Sequence, residues 1–194
     1  MRIISGRFGG RAIVSPPTDK TRPITDRAKQ SLFDALQECF VDQTVLDCFC
    51  GTGSMGLECL SRGAAHAVFI ERDRDALKAL KQNLKQFELL SSATVMNTDA
   101  YALADALAAD GPSPFPAPLT IAFVDPPYIH LEDGFTRNKV DNLIRQLAAH
   151  CMVDGGIISV RHHSRVTLDG PALGVKIVRE LVYGDMTITW ATKA

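Results

Sequence analysis

Asp125-Pro126-Pro127-Tyr128 follows an apolar run, Leu119, Ile121, Ala122, Phe123 and Val124, that reads as a buried strand. A carboxylate, two prolines and an aromatic at a strand's carboxyl end are the parts needed to hold a flat ring that bears an amine. Prolines fix φ and donate no N–H, so Asp125 and the Pro126 carbonyl sit in a stiff turn while Tyr128 offers a ring face for stacking. These four residues are the candidate catalytic set. The same tetrapeptide equally suits a strand-ending turn with an exposed Tyr.

A second constellation lies upstream. Thr44 to Phe49 reads as a strand that runs into Gly51-Thr52-Gly53-Ser54-Met55-Gly56, after which Leu57, Cys59 and Leu60 have helical spacing. A strand, a tight glycine turn and a helix start let a nucleotide approach bare backbone at a helix N-terminus. The strand from Ala65 to Ile70 ends in Glu71, a carboxylate placed for a ribose diol. Asp47 selects the cofactor, because a carboxylate aimed at the turn would repel the pyrophosphate of a dinucleotide. S-adenosylmethionine has no phosphate, and its α-amino group and sulfonium are cationic partners for such an acid. A turn-capping role for Asp47 is the alternative. Asp99, beyond the strand Ala93 to Asn97, either accepts a hydrogen bond from adenine or caps the helix Ala100 to Ala108. The cofactor-binding candidates are therefore Asp47, Phe49, Gly51, Gly53, Glu71, Arg72, Asp99, Ala100 and Asp125.

Charge is uneven along the chain. Residues 1–30 hold seven Arg and Lys against two Asp, whereas the net charge of all 194 residues is −1. A basic arm on an acidic body suits a nucleic-acid partner, with Arg2, Arg7, Arg11, Arg22 and Arg27 as candidate phosphate contacts. A solvated tail is the competing reading. Gly6, Gly9 and Gly10 suggest a loop or short hairpin, and the apolar Ile3-Ile4 and Ala12-Ile13-Val14 favour order.

The positioning elements alternate. A helix capped by Thr25 runs from Asp26 to about Glu38, and strands at 44–49, 66–70 and 93–97 alternate with helices at 54–62, 73–87 and 100–108. This predicts an α/β, Rossmann-like, mostly parallel sheet with helices on both faces. A proline-rich linker from Gly111 to Pro118 precedes the strand to Val124, and residues 129–138 read as a mobile loop able to close over substrate. A helix from Lys139 to His150, a strand at Gly156 to Val160, and a hairpin of Val175 to Tyr183 and Met186 to Trp190 complete the chain. The expected organisation is a basic arm, 1–24, on one domain, 25–194.

Several function classes are excluded by composition. No apolar stretch reaches the roughly 18 residues of a membrane span, and the N-terminus lacks a signal-peptide pattern, so a cytoplasmic protein is expected. The five cysteines are odd in number and fall mostly in core elements, which predicts reduced thiols. Cys48-x-Cys50 lacks zinc spacing and no Pro-Cys dipeptide offers an attacking thiol, so no metal and no thiol chemistry are expected. An NAD(P)-binding oxidoreductase is the out-of-class alternative.

Asp47-x-x-x-Gly51-x-Gly53, Glu71, Asp99 and Asp125-Pro126-Pro127-Tyr128 together resemble the motifs of class I S-adenosylmethionine-dependent methyltransferases that act on exocyclic amines. Arg22 to Lys29 followed by Leu32-Phe33, Leu57 to Ala64, and Tyr183-Gly184-Asp185 more closely resemble the bacterial 16S ribosomal RNA guanine-N2 methyltransferases. The resemblance implies a seven-stranded sheet with a C-terminal antiparallel hairpin, and methylation of one guanine (position 966) in the small ribosomal subunit. It implies 16S rRNA in an assembled or assembling 30S subunit as partner; a monomer is expected, with the sequence itself leaving oligomeric state open. An adenine-N6 or protein-amine methyltransferase shares a similar tetrapeptide. Arg161-His162-His163 departs from the resemblance, since a carboxylate is expected there. His130, His162 and His163 are candidate carriers for the proton released.

Overall fold

The computed structural model describes residues 1–16, 24–109 and 113–194. Seven strands form one sheet in the order β3-β2-β1-β4-β5-β7-β6, with β1 Thr44–Cys48, β2 His66–Glu71, β3 Ala93–Asn97, β4 Leu119–Val124, β5 Met152–His163, β6 Val175–Tyr183 and β7 Met186–Lys193. The β1–β2, β2–β3 and β4–β5 pairs are parallel, and β5–β7 and β6–β7 are antiparallel. This is the mostly parallel sheet and terminal hairpin expected from the alternation. The chain divides into two compact units, Met1–Asn97 and Thr98–Ala194.

In the first unit all five residues of β1 are buried, the apolar Val45, Leu46 and Cys48 together with the polar Thr44 and Asp47. Helix α1 spans Asp26–Ala35, with the Thr25 side chain accepting from the Ala28 N–H, and buries Ala28, Leu32 and Phe33. It ends sooner than its periodicity suggests, because Gln37–Cys39 tighten into a 3-10 turn. Helices α2 (Ser54–Ser61) and α3 (Arg74–Gln86) follow β1 and β2, and Asp73 caps α3 by accepting from Asp75 and Ala76 N–H groups. Apolar residues Ala76, Leu77, Leu80 and Leu84 of α3 face inward at helical spacing.

Residues 1–13 of the basic arm form an ordered hairpin. Ile3 donates its N–H to the Arg11 carbonyl at 3.0 Å, Gly10 donates to the Ile3 carbonyl, and Ile3, Phe8 and Ile13 are buried. Gly6 sits on the end of α2 at φ +79, where a Cβ would lie 2.0 Å from the Ser61 carbonyl oxygen. The arm is held mainly by Glu58 of α2, which is fully buried. Its carboxylate accepts from the Ile4 N–H at 2.7 Å and the Ser5 N–H at 3.0 Å, and pairs with Lys29 at 3.0 Å and Arg62 at 2.8 Å. Burial pulls the Lys29 pKa down, against the Glu58 charge that raises it. Asn83 of α3 makes a second anchor, accepting from the Val14 N–H and donating to the carbonyls of Val14 and Thr52.

In the second unit, α4 (Ala100–Ala108) packs on α6 (Gly134–His150), and a short α5 (Ile129–Glu132) packs against α6. Residues 129–138 are thus helical rather than the expected mobile loop. Asp133 ends α5 and caps α6 by accepting from the Thr136 N–H at 2.9 Å, and Arg137 pairs with Asp141 one turn on at 3.0 Å. Strand β5 is also longer than its apolar core, because antiparallel pairing with β7 carries it from Ile157 to His163. Of the expected linker, 111 and 112 lie outside the described residues. No helix among the described residues is long and apolar enough to cross a membrane.

The Glu58 network yields a stability prediction. Glu58→Gln removes the counter-charge of a lysine that is 1% exposed, and should cost about 3–5 kcal/mol in urea unfolding, whereas a cost under about 1 kcal/mol would mean that the pair contributes no more than a surface ion pair.

Candidate functional site

In the first unit, the end of β1 and the glycine turn are tied to the end of β2. Cys50 donates its N–H to the Ile70 carbonyl at 3.1 Å, and Gly53 donates to the Cys50 carbonyl at 2.8 Å, closing the turn ahead of α2. Phe49 has φ +58, a left-handed conformation that costs a bulky residue on the order of 1–3 kcal/mol and marks functional turns. Gly51 has φ +55, and a Cβ there would meet no atom within 4 Å, so open space lies over its backbone. Its N–H donates to Glu71 Oε2 at 2.9 Å, while Glu71 Oε1 accepts from the Arg72 and Asp73 N–H groups at 2.8 Å each. Glu71 is therefore beside the turn, as its position at the end of β2 predicts.

Asp47 is 1% exposed, and its Oδ2 accepts from the Gly56 N–H in the first turn of α2 at 2.9 Å. That contact is of the capping kind and adds the favourable interaction of a carboxylate with a helix N-terminus. A turn lined by two carboxylates and open over Gly51 fits a ligand carrying cationic groups and a diol, and disfavours a pyrophosphate.

In the second unit, Asp99 takes the capping alternative, accepting from the Tyr101 N–H at 3.0 Å, and Ala100 is the buried first residue of α4. The tetrapeptide follows β4 directly, with Pro126 buried, Pro127 exposed and Tyr128 half-buried. Pro127 accepts from the His130 N–H at 2.8 Å, which starts α5. Asp125 Oδ1 accepts from Arg161 Nε at 2.6 Å. Burial pushes the Asp125 carboxyl up, and the Arg161 guanidinium opposes that shift. The guanidinium carbon lies 5.7 Å from the Tyr128 ring centre, and the His163 ring meets the Tyr128 ring edge to face at 6.1 Å.

Among the candidate proton carriers, the structure separates three roles. His130 Nδ1 shares a hydrogen bond of 2.7 Å with the Tyr101 hydroxyl. His163 touches the tetrapeptide's aromatic ring. His162 is 1% exposed and bonded to Thr189 Oγ1 at 2.8 Å, and burial lowers its pKa, so it is a core residue. Arg161 is the functional candidate that residue-type reasoning passed over. The parallel register pairing Val124 with Val160 places 161 beside 125, a signal that needs the pairing and not the residue type.

The arm arginines are held to differing degrees. Arg2 pairs with Asp26 at 2.8 Å; Arg11 donates to the Gln86 carbonyl and lies 4.6 Å over Phe87; Arg7 lies 4.9 Å over Phe8; Arg27 is exposed. Arg22 lies outside the described residues. Among the described residues no group of three or more His, Cys, Asp or Glu could hold a metal ion, and no disulfide joins any of the five cysteines. The two acids at helix starts should separate in unfolding experiments: Asp99→Ala should cost about 1 kcal/mol as a lost cap, and the buried Asp47→Ala more, about 1–3 kcal/mol. The reverse ranking would contradict the contacts described.

A family model described as conserved hypothetical protein 95 matches residues 1–192. "Putative rRNA methyltransferase YlbH" of Bacillus subtilis (strain 168) is 34% identical over 185 residues, covering 95% of this chain and 94% of that protein. "Ribosomal RNA small subunit methyltransferase D" of Escherichia coli (strain K12) is 41% identical over 128 residues, 66% of this chain and 60% of that one. Among solved structures, "Putative methyltransferase yhhF from Escherichia coli" superposes with a TM-score of 0.79 at 30% identity, covering 100% of this chain and 98% of that one. With a Rossmann-like sheet and a match along nearly its whole length, the chain belongs to the conserved hypothetical protein 95 family, that of the ribosomal RNA small subunit methyltransferase D proteins.

Proposed function

We propose that the protein uses S-adenosylmethionine to methylate the exocyclic N2 amine of a guanine in 16S rRNA, in an assembled or assembling 30S subunit. The observation that carries this reading is Asp125, whose carboxylate stands at the end of β4 with one oxygen fixed by Arg161, followed by a proline pair and an aromatic ring. The names of the Bacillus subtilis and Escherichia coli relatives, "Putative rRNA methyltransferase YlbH" and "Ribosomal RNA small subunit methyltransferase D", support the substrate class.

Bound S-adenosylmethionine supplies an electrophilic methyl group on a sulfonium. Glu71 accepts from the ribose hydroxyls, Asp47 fixes the turn and adds negative charge, and Asp99 with Ala100 borders the adenine. Phe49, Gly51, Gly53 and Arg72 complete the cofactor contacts. Asp125 and the Pro126 carbonyl accept the two N–H groups of the guanine amine, which orients its lone pair and offsets the positive charge that develops on nitrogen. Tyr128 stacks on the base, which must be unpaired or extruded to be reached. No strong base is needed, because the methylated amine is acidic enough to lose its proton to water. The arm, residues 1–24, and Arg27 hold rRNA phosphates, and the protein acts in the cytoplasm as a monomer.

Incubation with labelled cofactor and small subunits lacking the modification, followed by nucleoside analysis, should give N2-methylguanosine at one position. N6-methyladenosine, or label on protein, would overturn the guanine reading. Replacing both Arg7 and Arg11 by Glu should weaken RNA binding and flatten its salt dependence by about one logarithmic unit of slope per lost phosphate contact. An unchanged slope would remove the arm from the interface.

A further inference from the structure

The parallel pairing of Val124 with Val160 brings the next residues on each strand, Asp125 and Arg161, side by side at the strand ends. Side chains alternate along β5, so the buried Val160 and His162 turn to one face and Arg161 to the other. Arg161 Nε donates to Asp125 Oδ1 at 2.6 Å, the two side chains being 15% and 27% exposed. Among the described residues no hydrogen bond reaches Oδ2. The same guanidinium lies 5.7 Å from the Tyr128 ring centre, so one cation touches both ends of the tetrapeptide.

We propose that Arg161 is a positioning residue for the amine methylation proposed above: it fixes Oδ1 of Asp125 together with the Tyr128 ring, so that Oδ2 alone is presented to the substrate amine. This inference rests on that functional reading. Two consequences distinguish it from a pair that only offsets charge. First, a carboxylate held through one oxygen is restrained about its Cβ–Cγ bond, so the remaining acceptor samples a narrower range of directions. Second, burial favours the protonated acid, which would set an O–H where an acceptor is needed, and the guanidinium opposes this. Arg161 on β5 is the charged group that acts on Asp125, and Arg161 is itself acted on by Asp125 and Tyr128, whose ring also meets His163.

The test compares wild type with Arg161→Gln and Arg161→Lys by two readouts. Carbon-detected NMR titration of the Asp125 carboxyl, assigned with Asp125→Asn, needs neither cofactor nor RNA; Arg161→Gln should raise its midpoint by about one pH unit, and Arg161→Lys should largely restore it. With subunit substrate, Arg161→Gln should lower kcat about 10- to 100-fold, with the acid limb of the pH profile moved upward and cofactor affinity kept. Arg161→Lys, which keeps the charge and loses the planar fork, should restore the acid limb and not the full kcat. An unmoved midpoint in folded Arg161→Gln, or full activity in either variant, overturns the proposal. If Arg161→Gln does not fold, Arg161→Lys decides, since wild-type kcat there excludes a positioning role. A wild type that fails to methylate rRNA overturns the functional reading instead, and the substrate-free titration tells the two failures apart.

Discussion

A fully buried carboxylate organises the first unit. Glu58 can remain ionised inside a core only if its oxygens are partnered, since an unpaired buried charge costs several kcal/mol, on the order of 3–5 when a partner is removed. Its partners come from three places: the arm backbone at Ile4 and Ser5, Lys29 on α1, and Arg62 just past α2. Lys29 in turn donates to Ser54 Oγ at 3.0 Å, at the first residue of the helix that follows the glycine turn. Arm, helix and turn therefore share one support. Asn83 repeats the arrangement by joining Val14 to the Thr52 carbonyl. The hairpin of the basic arm is consequently part of what shapes the proposed cofactor turn, and Arg2, Arg7 and Arg11 are displayed from a fixed base.

The two halves of the proposed machinery work by different physics. The glycine turn uses backbone: a left-handed Phe49 and Gly51, with Glu71 gathering three N–H groups. Its geometry is bought by strain at Phe49 and repaid by those bonds. The tetrapeptide uses side chains on a strand end, where Pro126 and Pro127 stiffen the chain and Arg161 fixes the acid. Burial pushes the Asp125 carboxyl up and the Arg161 guanidinium opposes that shift, favouring the ionised form that the proposed amine acceptor requires.

Much of this was legible in the sequence because its causes are local. Period-two burial, apolar runs and the caps Thr25 and Asp99 are written in neighbouring residues, and strands β1 to β4 and helices α2 to α4 fall within a residue or two of their expected limits. Residues 129–138 misled because Gly134 and two acids look like loop punctuation, whereas Asp133 with Thr136 is a helix cap. The arm's docking was invisible for another reason: Glu58 stands 53 and 54 residues from the backbone groups it holds. Arg161 was seen as a departure in residue type. Only strand register shows that it lies against Asp125.

The central claim is that Asp125 acts on the amine and not on the cofactor. Its most direct measurement sets equilibrium S-adenosylmethionine binding by calorimetry beside single-turnover methyl transfer, for wild type and Asp125→Ala. The account predicts near-equal cofactor affinity and transfer slowed by about 100-fold or more, the order expected when a positioned electrostatic partner is lost. A variant that loses cofactor affinity in step with transfer, or that transfers methyl at the wild-type rate, would contradict it.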